Sequence, residues 1–269
     1  MPDRLLLLGG TGEALALARR LAEAMPDLSV VTSLAGRTLD PVLPPGEVRR
    51  GGFGGVDGLV RYLKNEKISL LVNATHPYAA EMSAHALAAR EMADVALLRL
   101  LRPAWRKQPA DSWIRAHDVQ GAAGICKWLG RRVLLALGSQ EIHHFAGVPR
   151  AHFVVRMVDA PAAPLPLENC EVIAGRGPFS LAEERRIILE YGIDLIVAKN
   201  SGGDATFAKI AAAREFSIPI VMVDRPEIAL HPGCDSVPGV EEALAWIAAH
   251  RREVTARPRS DRAQPSHRR

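Results

Sequence analysis

A glycine-rich turn near the start of the chain is the first group of residues that could do chemistry. A leucine run at 5–8 is followed by Gly9, Gly10, Thr11, Gly12 and Glu13, where a helical pattern begins. Glycine lets backbone turn tightly and approach a pyrophosphate, and the unpaired N–H groups at a helix N-terminus stabilise that anion. Gly10 and Gly12 match the first two glycines of the dinucleotide fingerprint G-x-G-x-x-G, with Leu15 at the third. These five residues are therefore predicted to bind a dinucleotide, and a purely structural turn is the alternative.

The end of the second predicted strand, 28–32, indicates which dinucleotide. NAD enzymes commonly place Asp or Glu there to accept from the ribose 2′-hydroxyl. Here residues 32–37 contain no carboxylate, whereas Ser33 can donate a hydrogen bond and Arg37 can form a charge-assisted fork with a phosphate. The pair predicts NADPH rather than NADH. The alternative for Arg37 is an ordinary surface cation.

Two further turns follow strands of the first half. Gly52 and Gly54 lie in a glycine cluster after a short predicted strand at 47–50, where they could approach the cofactor or form a flexible loop. Thr75, His76 and Tyr78 follow the predicted strand at 70–73, at the sheet edge where open α/β folds bind ligands. Thr75 and His76 are predicted to contact the cofactor. His76 and Tyr78 are candidate catalytic residues, and a structural role for His76 is the alternative.

Cations and glycines follow the predicted strands of the second half. Such turns suit a substrate that carries several carboxylates, because they offer backbone donors and positive charge. A solvated surface charge is the alternative for each cation taken singly. The predicted substrate-binding residues are Arg176, Lys199, Ser201, Gly202, Gly203, Lys209 and Arg225.

Short apolar runs alternate with helical patterns along nearly the whole chain. This alternation predicts right-handed βαβ units, and hence an α/β protein of two Rossmann-like domains with mainly parallel sheets and an active-site cleft between them. We expect an NADPH-binding domain at 1–140 and a substrate-binding domain at 141–250. Residues 251–269 are expected to form a disordered basic tail.

Composition excludes several classes of protein. Of the 269 residues 48% are apolar, yet no uncharged apolar run is long enough for a membrane span, and no signal peptide is visible. The three cysteines are far apart, which predicts reduced thiols in a cytoplasmic protein. No metal site is expected, because the histidines at 143, 144 and 152 lack a completing ligand set. The net charge of +4 comes from seven arginines after residue 250, so nucleic-acid binding is not predicted.

These motifs together resemble the precorrin-6A reductase family, including its cobalt-precorrin-6A counterpart. The matching segments run in order from residue 5 to residue 226 and are 8–14, 33–37, 51–55, 74–79, 199–203 with Lys209, and 224–226. One departure is Asn73, where the family often has Asp before Ala-Thr-His-Pro. The resemblance implies two α/β domains, NADPH on the first, and hydride transfer to the macrocycle of an anionic corrin precursor that gives precorrin-6B in cobalamin biosynthesis.

Three rival functions remain open at this point. A short-chain reductase would carry Tyr-x-x-x-Lys, but the residues four positions after Tyr62, Tyr78 and Tyr191 are Glu66, Met82 and Leu195. A non-catalytic NADP-sensing module would bind the dinucleotide without turnover. Nucleic-acid binding would depend on the Arg-rich tail at 251–269. A monomer or small homo-oligomer is expected.

Overall fold

A computed structural model of the chain describes residues 3–36, 40–227 and 234–256, with side chains up to residue 251. None of the helices in these ranges is both long and apolar enough to cross a membrane. The strands are β1 (Arg4–Leu8), β2 (Ser29–Leu34), β3 (Glu47–Arg50), β4 (Leu70–Asn73), β5 (Ala96–Leu100), β6 (Trp113–Ala116), β7 (Arg132–Ala136), β8 (His152–Met157), β9 (Cys170–Ala174), β10 (Leu195–Lys199), β11 (Ile220–Val223) and β12 (Asp235–Val237). The helices are α1 (Gly12–Ala24), α2 (Gly55–Asn65), α3 (Ala80–Ala93), α4 (Val119–Leu129), α5 (Leu181–Glu190), α6 (Ala208–Glu215) and α7 (Val240–Ala256), with a 3₁₀ segment at Ser139–Phe145.

The first unit contains a six-stranded parallel sheet in the order β3-β2-β1-β4-β5-β12. This is the strand order of a dinucleotide-binding Rossmann fold. Strands β2 and β3 are added on one side of β1, and β4 and β5 on its other side, so the strand order reverses between β1 and β4. The unit comprises the described residues up to 36, those from 41 to 102, and those from 234 onwards. Its sixth strand therefore comes from the C-terminal end of the chain.

Strand β1 forms at the centre of this sheet because its leucines can be buried on both faces. Leu5 and Leu7 pack in the core beneath α1 and α7, while Leu6 and Leu8 pack in the core beneath α2 and α3. Side chains alternate along a strand, so an unbroken apolar run is what a doubly covered parallel strand requires. The glycine turn therefore follows a central strand of this sheet.

The second unit contains another six-stranded parallel sheet, in the order β9-β8-β7-β10-β11-β6. Apart from the edge strand β6, the strand order repeats that of the first sheet, with β7 in the place of β1 and β10 in the place of β4. Helices α5 and α6 cover one face of this sheet. Ile187 of α5 and Ile210 of α6 pack in the same core as Ile196 of β10. The predicted α/β class with two parallel sheets is confirmed.

The predicted domain boundary at 140 is wrong, because β6 and β7 belong to the second sheet and β12 to the first. The second unit comprises Asp40 and residues 103–227 among the described residues. The change of sheet occurs at Pro103, in the proline-containing stretch that interrupts the βα rhythm. Alternation of strands and helices resumes after that stretch, so the pattern does not reveal to which sheet each strand belongs.

The C-terminal helix extends past its predicted end at residue 250, to Ala256. Arg251, assigned to the disordered tail, donates to Asp27 at 2.5 Å and pairs with Asp3 at 3.4 Å. These two carboxylates hold the arginine on the first unit, so the tail prediction is wrong at its start. Residues 257–269 lie outside the described ranges.

Candidate active site

The glycine turn lies at the carboxyl edge of the first sheet, where the strand order reverses. Gly10 adopts φ +105°, and a Cβ added there would meet no atom within 4 Å. The Thr11 hydroxyl accepts from the Ala14 N–H at 3.1 Å and donates to the Ala74 carbonyl at 2.8 Å. The N–H groups of Gly12 and Glu13 make no hydrogen bond with any described residue. The turn is thus braced by one side chain and offers its backbone donors to an anion.

Asn73, the departure from the family pattern, is buried, and both polar atoms of its side chain are hydrogen-bonded. Its Oδ1 accepts from the Thr75 hydroxyl at 2.7 Å and the Thr75 N–H at 3.2 Å, and its Nδ2 donates to Ser83 Oγ at 3.0 Å. These bonds form an Asx-type turn that fixes the chain just after β4. The amide therefore performs a structural task here that needs no negative charge.

His76 and Tyr78 lie next to each other on the same turn. Their ring centroids are 5.6 Å apart, and the Tyr78 N–H donates to His76 Nδ1 at 3.4 Å. Because Nδ1 acts as the acceptor, a neutral His76 ring carries its proton on Nε2. The structure thus brings the two candidate catalytic residues together at the edge of the first sheet.

A shallow depression at this edge is lined by residues of both turns and by the segment after β5. Its lining includes Thr11, Glu13, Thr75, Pro77 and Arg102. Arg102 Nη1 donates to Glu13 Oε2 at 2.5 Å, so the carboxylate in the first turn of α1 is neutralised by an arginine. Sequence reasoning missed Arg102, because no motif marks it and only the sheet order brings it beside α1.

Ser33, predicted to contact the cofactor, is buried at the end of β2. Its Oγ accepts from Arg49 Nη1 at 2.7 Å, and its carbonyl accepts from the Gly9 N–H at 2.9 Å. Arg49 also donates to the carbonyls of Gly51 and Gly52, so the glycine cluster containing Gly52 and Gly54 lies beside Ser33. Arg37 lies outside the described residues.

The corresponding edge of the second sheet is organised around an ion pair. Glu141 lies on the 3₁₀ segment after β7, and its Oε2 accepts from the Gly138 N–H at 3.0 Å. Its Oε1 accepts from Lys199 Nζ at the end of β10. The lysine predicted to bind substrate therefore already faces a carboxylate of its own unit, which sequence reasoning missed because the partners are 58 positions apart.

The turn at Lys199–Gly203 is held firmly by residues of the second unit. The Asn200 side chain accepts from the Trp105 N–H at 2.8 Å and donates to its carbonyl at 3.1 Å. Gly202 has φ +69°, and a Cβ there would lie 1.9 Å from the Pro103 carbonyl oxygen. Glycine is required at this position by both conformation and space.

Arg225 is brought to this turn, whereas two other predicted cations are not brought to a common rim. Arg225 donates from Nε to the Asn200 carbonyl and from Nη2 to the Ser201 carbonyl, both at 2.8 Å. Lys209 is buried, with Nζ donating to the Thr206 carbonyl at 2.6 Å and lying 5.1 Å from the Trp105 ring centroid. Arg176 follows β9 at the far edge of the sheet and donates to the Asp40 carbonyl. Of the four cations predicted to bind substrate, only Lys199 and Arg225 therefore lie at one turn.

Comparison with known proteins gives a match that extends over almost the whole chain. Residues 4–248 match the family described as Precorrin-6x reductase CbiJ/CobK. The chain belongs to this family. It is 46% identical to a precorrin-6A reductase from a Sinorhizobium species, over 91% of this chain and 92% of that protein. It is 30% identical to the cobalt-precorrin-6A reductase of Salmonella typhimurium, over 82% and 87% of the two chains.

A solved structure of the family has the same fold. The CobK precorrin-6A reductase superimposes with a TM-score of 0.85 at 40% identity, covering 92% of this chain and 97% of that one. The resemblance inferred from the motifs is thereby confirmed at the level of family and fold.

Proposed function

We propose that this member of the precorrin-6x reductase family is an NADPH-dependent precorrin-6A reductase of cobalamin biosynthesis. It would transfer a hydride to a conjugated carbon of the macrocycle and give the precorrin-6B form. The observation that carries the proposal is the Gly9–Gly12 turn at the N-terminus of α1, in a Rossmann-order sheet, within a chain that matches this family over residues 4–248.

The first unit fits the pyrophosphate of a dinucleotide. At the N-terminal end of α1, the N–H groups of Gly12 and Glu13 have no acceptor among the described residues, and the space beside Gly10 is open. Arg102 cancels the charge of Glu13, which would otherwise repel the phosphates. When bound there, the nicotinamide supplies the hydride, and the chain supplies orientation and electrostatics.

Protonation of the reduced macrocycle, where it is needed, would fall to His76 or Tyr78. Hydride addition to a conjugated system leaves negative charge on a ring nitrogen unless that nitrogen was already protonated. His76 carries its proton on Nε2 when its Nδ1 accepts from the Tyr78 N–H, so Nε2–H is the donor that it could present. If positioning alone suffices, His76→Ala will leave single-turnover hydride transfer unchanged.

The second unit would bind the substrate through its carboxylates. Acetate and propionate groups need cations and backbone donors, and the candidates at one turn are Lys199, Ser201 and the two glycines at 202 and 203. Lys199 is paired with Glu141, so a substrate carboxylate would share that lysine with Glu141. Arg225 stabilises that turn by donating hydrogen bonds to the carbonyls of Asn200 and Ser201. Arg176 remains a candidate contact at a separate position, and Lys209 would act only by fixing α6 and Trp105.

A metal-free macrocycle is the favoured substrate. The relative named precorrin-6A reductase is 46% identical to this chain, against 30% for the relative named cobalt-precorrin-6A reductase. The difference is large enough to favour the metal-free form without excluding turnover of the other.

NADPH oxidation with each macrocycle tests the proposal. Purified protein is mixed anaerobically with NADPH and either precorrin-6A or its cobalt form, and absorbance at 340 nm and product mass are followed. We expect turnover with precorrin-6A and a mass gain of two hydrogens. NADPH binding without turnover of either macrocycle would favour a sensing module, and no NADPH binding would contradict the cofactor assignment as well.

A further inference from the structure

The parallel pairing of β2 and β3 places an arginine beside the ribose end of the proposed cofactor site. Ser33 is in register with Arg49, and Leu34 with Arg50. Residues in register in a parallel pair lie on the same face, and consecutive residues alternate. Arg49 therefore shares a face with Ser33, while Arg50 lies on the opposite face. The end of β2 is the position from which Rossmann folds contact the adenosine ribose.

The Arg49 guanidinium is fixed in place entirely by neutral groups. Nη1 donates to Ser33 Oγ at 2.7 Å and to the Gly51 carbonyl at 3.0 Å, and Nη2 donates to the Gly52 carbonyl at 2.9 Å. Its Cζ lies over the Phe53 ring, 3.8 Å from the ring centroid. No carboxylate of the described residues forms an ion pair with it. The site thus holds an oriented positive charge whose counter-ion is not supplied by the described part of the chain.

The hydrogen bonds that Arg49 makes with described residues leave two of its five N–H donors without an acceptor among those residues. Both Nη1 hydrogens and one Nη2 hydrogen are used, so the Nε–H and the second Nη2–H remain. These two donors point in parallel and match two oxygens of a phosphate. The Ser33 hydroxyl accepts from Arg49 and keeps its own hydrogen for donation.

We infer that Arg49, with Ser33, binds the 2′-phosphate of the adenosine ribose and so selects NADPH over NADH. The inference rests on the proposed function and names the residue behind its cofactor preference. It assigns the contact that distinguishes NADPH from NADH to Arg49 on β3, whereas the sequence alone points to Arg37. A guanidinium already oriented before binding loses little side-chain freedom when the phosphate arrives, which favours tight binding.

Substitution of Arg49 and of its neighbour separates this role from a general charge effect. Arg49→Gln is compared with Arg50→Gln, which removes the same charge from the next residue of the same strand, where the side chain is exposed and lies on the other face. Arg49→Lys keeps the charge without the fork. Each protein is titrated with NADPH, NADH, adenosine 2′,5′-bisphosphate and adenosine 5′-monophosphate by calorimetry, so binding is read without macrocycle turnover.

We expect Arg49→Gln to weaken NADPH and the bisphosphate by about ten- to hundredfold, the range for a lost charged hydrogen bond. NADH and the monophosphate should change by less than about threefold. Arg49→Lys should fall between wild type and Arg49→Gln, and it carries the test if the Gln variant does not fold. Arg50→Gln should leave all four affinities nearly unchanged.

Two results would overturn the inference while leaving the proposed function intact. Equal weakening of NADPH and NADH by Arg49→Gln would mean that Arg49 only supports the glycine cluster. An unchanged NADPH preference in that variant, with loss of the preference in Arg37→Gln, would assign the phosphate to Arg37. Failure of the wild-type protein to bind either dinucleotide would instead contradict the proposed function and the inference together.

Discussion

The two sheets share a strand order, apart from one edge strand, but differ in the turn that follows the central strand, which is β1 in the first sheet and β7 in the second. In the first, β1 leads into Gly9–Gly12 and directly into α1, whose first N–H groups have no partner in the described residues. In the second, β7 leads into a 3₁₀ segment, and the N–H of Gly138 is already bonded to the Glu141 carboxylate. In the second unit a side chain of the unit itself therefore accepts from the turn, whereas in the first unit the corresponding backbone donors have no acceptor among the described residues.

This difference shows that strand order alone does not make a dinucleotide site. A doubly wound sheet creates a crevice at its reversal point, but the ligand is determined by the turn that follows the central strand. Glu141 also neutralises Lys199 on the neighbouring strand. A phosphate at the turn after β7 would be repelled by the Glu141 carboxylate, so we assign the cofactor to the first unit.

The largest expected effect comes from a glycine of the second unit. Gly202→Ala would force a methyl group to within 1.9 Å of the Pro103 carbonyl oxygen at a left-handed φ of +69°. We expect the free energy of unfolding to fall by more than about 3 kcal/mol, as measured by urea denaturation. Gly124→Ala, at an open helical position of α4, should instead raise stability by about 0.5–1 kcal/mol. A mild effect of Gly202→Ala would contradict the rigid turn described above.

The comparison of the two reversal points is tested by matched glycine substitutions. Gly10→Ala places a side chain in the open space at the first turn with φ +105°, so NADPH affinity should fall about five- to 150-fold. Gly138→Ala, where φ is −73°, should leave NADPH affinity unchanged. Calorimetric titration of both variants decides the matter, and comparable losses would place part of the cofactor site on the second unit.

A smaller effect distinguishes the thiols of the two units at high pH. Burial raises the pKa of Cys126 in the second unit to about 12 from 9.0. Between these values the unfolded chain releases the thiol proton and the folded chain retains it, so stability falls as pH rises, and this loss is absent below about pH 9. At pH 10 the loss should be about 1.4 kcal/mol and should disappear in Cys126→Ala.

Cys234 of the first unit is the control for that experiment. Burial raises the pKa of its thiol too, but Arg90 and Arg99 act to lower it. Cys234→Ala should therefore alter the pH dependence less than Cys126→Ala. The measurement is the urea midpoint at pH 8 and pH 10 for each protein, and an equal change in the two variants would contradict the assignment.

Local patterns predicted the elements of the fold well, and contacts between distant segments limited the rest. The capping box of α5, formed by Ser180 and Glu183, can be recognised in the sequence because both of its bonds lie within four consecutive residues. Strand β6 carries no long apolar run and β12 has three residues, so neither gave a clear periodic signal. Arg49, Arg102 and Glu141 take their positions from sheet order, which no local pattern contains.

The placement of β12 also bears on how the polypeptide is made. The described strands of the second sheet lie in one continuous stretch, from Trp113 to Val223, so that sheet can assemble while the ribosome is still translating the C-terminal end. The first sheet begins with β1 but cannot gain its edge strand until Asp235–Val237 has emerged. The first unit is thus synthesised first but completed last, and a ribosome that stalls before residue 235 leaves β5 as an open edge.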